Sequence, residues 1–217
     1  EAQLVVPVSD PADLDVREAA AVLACCRKAN MAIYRTTGTQ AADKHAVRAL
    51  GRRFGLERLD MNLRADEDSI TSLRVVPAGA ATHYIPDTDH AINWHTDGYY
   101  NRPQEQVRGI VMHCVRPAAS GGGNLLMDPE MVYLLLRDEN PDWAAALLQQ
   151  DAMTIPANIE DGVEIRPAQS GPVFSVENDT GSLHMRYTTR TRSIVWKDDR
   201  NIRLAVGFIR ELLESRS

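Results

Sequence analysis

The middle of this chain is a series of short apolar or β-branched runs cut off by proline and glycine, and it lies between amphipathic helical stretches at both ends. TSLRVV near Thr71, RGIVMHCV from Arg108 and NLLMD from Asn124 predict strands, as do VEIRP, PVFSV and RSIVW further on. Helical periodicity fills DVREAAAVLACCRKA from Asp15 to Ala29, with Asp13 or Asp15 as its cap, and Ala41 to Phe54, with apolar Ala46, Val47, Leu50 and Phe54. Pro129 to Arg137 and the segment after Asn140-Pro141-Asp142 predict two shorter helices. Ile202 to Ser215 predicts a closing amphipathic helix carrying Leu204, Phe208, Leu212 and Leu213. Many short strands with helices at the ends predict an α+β chain built on a rolled antiparallel sheet.

A length of 217 residues suits one domain, taken as residues 1–217, with a large core. Hydrophobic residues at 44% and charged residues at 25% are ordinary globular values, which excludes disordered and fibrous classes. The net charge of −6 is spread along the chain without a dense basic stripe, so nucleic acid is not an expected partner. No apolar run approaches a membrane span and the first residues lack a secretory pattern, so the expected location is cytoplasmic. Cys25, Cys26 and Cys114 match neither a disulfide framework nor a zinc spacing and are expected to fill the core.

Chemistry concentrates in INWHTDGYYN, Ile92 to Asn101. On an extended segment, His95 and Asp97 point the same way and can share one metal ion. A two-histidine, one-carboxylate face needs a third donor, and His184 is the best candidate. Arg186, Arg190 and Arg192 follow His184 at even offsets, so one strand face collects guanidinium groups whose donor forks fit a carboxylate. The competing reading of that run is a solvated basic edge strand. His45 and His113 read as structural. His83 and His90, with Tyr84, Tyr99, Tyr100 and Asn101, could line a substrate mouth.

WHTDG at Trp94 to Gly98, the strand RGIVMHCVRP, the glycine turn SGGGNLLMD and a late histidine followed by arginines occur in one order. Together they resemble the taurine/2-oxoglutarate dioxygenase family over roughly Ala29 to Asp199. The resemblance implies a double-stranded β-helix (jelly roll, cupin-like) with flanking helices, and Fe(II) held by His95, Asp97 and His184. It also implies 2-oxoglutarate as co-substrate, contacted by Asn124 and by Arg192 or Arg190, and O2 as oxidant. The implied reaction hydroxylates a C–H bond of a small-molecule substrate and releases succinate and CO2. Arg192 stands only eight residues after His184, closer than the family pattern, and the chain is shorter than most relatives. Alternatives that keep the fold are a cupin-like metal enzyme without 2-oxoglutarate and a non-catalytic ligand-binding homologue. The motifs specify neither the primary substrate nor the oligomeric state.

Overall fold

A computed structural model describes residues 2–38, 43–60, 68–76, 88–190 and 194–215. The chain divides into two compact units, residues 1–70 with 109–124, and residues 71–108 with 125–217.

In the first unit, β1 (Val5–Val8) pairs in parallel with β2 (Ile33–Thr36), and α1 (Val16–Ala29) forms the crossover between them. Asp15 caps α1 through a reciprocal box. Its carboxylate accepts from the backbone N–H groups of Arg17 and Glu18, while the Glu18 carboxylate accepts from the Asp15 N–H. Asn30 ends the helix in the left-handed conformation. The second helix, α2 (Lys44–Arg53), is capped by Asp43 and buries Ala46 and Leu50. Val6, Val8, Leu14, Val22 and Leu50 form the core of this unit. The β1 strand was not expected from sequence, although Val5-Val6-Pro7-Val8 alternates buried and exposed positions.

The second unit holds β3 (Met153–Ile155), β4 (Asn158–Glu160), β5 (Val163–Arg166), β6 (Gln169–Gly171), β7 (Phe174–Val176), β8 (Leu183–Met185) and β9 (Val195–Trp196). It also holds α3 (Pro129–Glu139), α4 (Pro141–Leu147) and α5 (Arg200–Glu214). The sheet order is β6-β3-β9, all antiparallel, with β4–β5 and β7–β8 as separate hairpins. Asp161 and Gly162 both have positive φ, +50° and +80°, which makes the β4–β5 turn the tight primed type that matches strand twist. The helices pack on the sheet through Leu136, Leu147, Phe174, Ile202 and Ile209, all fully buried.

Three expectations need correction. The stretches near Thr71, from Arg108 and from Asn124 form no β-ladder among the described residues. Strand propensity expresses itself only where a partner edge is available. The period of two survives from Ile110 to Cys114, where Val111 and His113 are partly buried while Ile110, Met112 and Cys114 are exposed. For the same reason the described strands make small separate sheets rather than a closed barrel. The cysteines do not fill the core: Cys26 and Cys114 are exposed and Cys25 is half-buried. No helix among the described residues is long and apolar enough to cross a membrane.

The closing helix turns the expected Leu213 inward and packs Phe208 and Leu212 against the core, but Leu204 departs from the expectation. Ile202, Ala205, Val206, Ile209 and Leu213 are buried, whereas Leu204 is 41% exposed. Ile209→Ala should therefore cost about 2–5 kcal/mol in urea unfolding, as other buried truncations do. Leu204→Ala on the same helix should stay within about 1 kcal/mol.

Candidate metal centre

Positioning of the His95 segment begins with main-chain pairing between parts of the second unit that are far apart in sequence. His95 lies opposite Thr188 in an antiparallel bridge. The Thr96 N–H donates to the Tyr187 carbonyl at 2.9 Å, and the Thr189 N–H donates to the Trp94 carbonyl at 3.0 Å. Thr96 turns away from the His95 side, and its hydroxyl accepts from the Tyr187 N–H at 3.0 Å. Alternation then presents His95 and Asp97 together on the opposite side.

Their mutual geometry fits a shared cation. The Asn93 carbonyl can only accept, so His95 Nδ1, 2.7 Å away, carries the proton and donates it. In the neutral ring this leaves Nε2 as a bare lone pair, facing Asp97 Oδ1 at 3.3 Å. Two acceptors at that distance require a positive charge to reconcile them. Donor atoms that share a metal at about 2.1 Å each, roughly at right angles, lie about 3 Å apart. Locking one ring nitrogen on a carbonyl so that the other faces the metal is the usual outer arrangement of ligand histidines. In the metal-free protein a proton takes this role: the hydrogen bond to Asp97 raises the His95 pKa above 6.5, against the opposing effect of burial.

Gly98 lets the chain turn immediately after the carboxylate. Its φ is +65°, and a Cβ there would come within 2.6 Å of Val107 Cγ2 and 3.0 Å of Asn101 Nδ2. The Asn101 N–H closes the turn on the Gly98 carbonyl, and the Asn101 amide donates to the Glu105 carbonyl.

The other expected site residues separate into groups. Arg190 is exposed, and its charge is the smallest of the influences on the His95 ring. Arg186 is buried, and its Nη2 donates to the carbonyls of Met153 and Gln169 at 2.8 and 3.1 Å, which ties β8 to β3 and β6. Burial pushes its pKa down to about 10, still well above neutrality, so Arg186 is a structural cation. Arg192, His83 and Tyr84 lie outside the described residues. Asn124 is exposed and belongs to the first unit. His90 is exposed, and Tyr99 and Tyr100 make an edge-on aromatic pair, with the Arg166 guanidinium over the Tyr100 ring.

His184 pairs with Ser175 across the β7–β8 hairpin. Four residues of near-extended chain separate it from Thr188, on the order of 13 Å. No group of three His, Cys, Asp or Glu side chains able to hold a metal forms among the described residues. The structure thus brings His95 and Asp97 together and leaves His184 apart from them. His184 Nδ1 is nonetheless buried with no hydrogen-bond partner. Burial first, and then the Arg108 charge, lower the His184 pKa, so its ring is neutral at pH 7. Sequence reasoning missed Asn93, whose contribution is a carbonyl and leaves no trace in residue type. It also missed Thr96 and Thr188, although Thr96 stands between His95 and Asp97 in HTD.

Against this geometry, the chain matches the family of taurine catabolism dioxygenases, the TauD/TfdA family, over residues 1–216, and it belongs to that family. It is similar to a uridine-5'-phosphate dioxygenase from Streptomyces sp, 32% identical over 151 residues, covering 66% of this chain and 52% of the relative. It is also similar to a uridine-5'-phosphate dioxygenase from Amycolatopsis sp, 36% identical over 95 residues, covering 44% of this chain and 33% of the relative. The matched part thus spans about half, or a third, of these relatives' lengths. No solved structure matches.

Gly98→Ala should disturb this site because the residue is both left-handed and crowded. A loss of about 1–2 kcal/mol from the backbone conformation alone is expected in thermal or urea unfolding, with weaker binding of divalent metal. Unchanged stability would contradict the turn as described.

Proposed function

We propose that this chain is the metal-binding part of an Fe(II)- and 2-oxoglutarate-dependent dioxygenase that oxidises a small molecule. Family membership supports the class. The single observation that carries it to named residues is the His95 Nε2 to Asp97 Oδ1 approach of 3.3 Å, with Nδ1 locked on the Asn93 carbonyl. The fold in this reading is the jelly roll of that family, within one oxygenase domain.

His95 and Asp97 would supply two of the ligands, and the 2-oxoglutarate distal carboxylate would meet Arg192 or Arg190. For the third ligand, His184 offers a neutral ring with a buried, unpartnered Nδ1. That role requires the separation along the strand to close. When bound, iron with 2-oxoglutarate and O2 supplies the oxidising power, releasing succinate and CO2 and inserting oxygen into a C–H bond. The protein's own work is to hold the His95 tautomer, present the Asp97 carboxylate beside it, and orient the co-substrate by its charge. The names of the two relatives make a nucleoside 5'-phosphate the first substrate to test.

The experiment is anaerobic titration of the Fe(II) protein with 2-oxoglutarate, followed by succinate release in air with uridine 5'-phosphate and other nucleoside phosphates. His95→Ala and Asp97→Ala should each abolish metal-dependent turnover with the unfolding midpoint nearly unchanged. Wild-type metal affinity in either variant would remove the proposal. Arg190→Ala should raise the 2-oxoglutarate requirement by tenfold or more while leaving iron affinity within about threefold. His184→Ala should cost metal affinity if His184 is the third ligand, and full retention assigns that position to another donor.

Metal binding should also depend on pH in one direction. The cation must displace the proton that His95 shares with Asp97, and the His95 pKa lies above 6.5. Affinity for Fe(II), or for Co(II) as its stable probe, should rise with pH through and beyond 6.5 and level off once the metal-free ring is neutral. Isothermal titration in buffers of different ionisation enthalpy should show proton release on binding that fades above that point.

A further inference from the structure

The first unit carries a cavity of about 560 Å³ between the chain before α1 and one face of α2. Its wall is basic in a chain whose net charge is −6. His45, Arg48 and Arg52 stand at helical spacings of three and four and form one stripe, and Arg53 flanks it. Ala46, Leu50 and Gly51 turn the other way and are buried. Among the described residues Asp13 is the only carboxylate in the lining, and buried Pro11 and Leu14 give an apolar floor.

Helix stability does not account for this composition. Arg52 and Arg53 in the last turn favour the helix dipole, but His45 and Arg48 occupy the first half, where cations are disfavoured and no acidic residue stands in the first turn. Arg48 and Arg52 are like charges at the spacing where such pairs repel. Among the described residues no carboxylate forms an ion pair with Arg48, Arg52 or Arg53. The Arg48 guanidinium is held by donating to the Asp68 carbonyl, so its charge is fixed at the cavity wall.

We propose that this cavity binds the phosphate group of a small phosphorylated metabolite. Three guanidinium groups around a concave space suit a dianionic, many-acceptor group better than a single carboxylate. The volume falls within the range for a small ligand. The acidic character of the chain as a whole disfavours a long polyanion. This cavity belongs to the first unit and the His95–Asp97 pair to the second, and the inference does not rest on the proposed reaction.

The test is calorimetric titration of the full chain with pyrophosphate at low salt, with citrate as a carboxylate comparison. One saturable site is expected, weakening with added salt. Citrate should bind at least tenfold more weakly. Arg52→Gln combined with Arg53→Gln should weaken pyrophosphate at least tenfold with an unchanged melting temperature, since both side chains are exposed. Asp13→Asn should tighten it, giving an independent sign that needs no loss of function. Asp97→Ala should leave it unaltered. Absence of saturable binding, equal affinity for citrate, indifference to the double substitution, or loss in Asp97→Ala would each overturn the assignment.

Discussion

The candidate centre depends on a few main-chain hydrogen bonds that join Trp94–Thr96 to Tyr187–Thr189, segments more than ninety residues apart. They decide which side of the segment His95 and Asp97 occupy, because slipping the pairing by one residue would exchange that side with Thr96. The contact is anchored by Thr188, only 1% exposed, and by the adjoining core of the second unit. Side chains on a short bridge at the edge of a packed core stay accessible while their backbone is fixed.

Helices were the most legible part of the sequence, for physical reasons. Capping is local: Asp15 with Glu18, Asp43, Asn140 before Pro141 and Asp199 all act within a few residues of themselves, so the signal and its consequence coincide. Strands were legible where a partner edge exists, whether near, as in β7–β8, or remote, as for β9 on β3. The Asp161–Gly162 turn between β4 and β5 was readable as a hairpin signal although the expectation covered only the second strand. The runs near Thr71, from Arg108 and from Asn124 have strand composition, yet composition does not contain a partner.

The candidate site was legible to the extent that chemistry resided in side chains. His95 and Asp97 were found because their spacing is itself the geometry. The arginine run was only half informative. Position 186 and position 190 share a strand parity with His184, but burial takes Arg186 to the carbonyls of Met153 and Gln169 and leaves Arg190 exposed. Parity gives the face and not the depth. On α5 the error had a similar origin. Leu204 is apolar enough for the core, but the buried stripe through Ile202, Val206, Ile209 and Leu213 passes it by.

The acceptor that fixes the His95 ring is the peptide oxygen of Asn93, not a side chain. Proteins that orient a ligand imidazole with an aspartate can lose that control through one substitution. Here the orienting atom belongs to every amino acid, so residue 93 is free to change its side chain without releasing the tautomer. Any drift in the chemistry of this centre would have to come through the path of the backbone itself, which makes local chain shape the inherited quantity at that position.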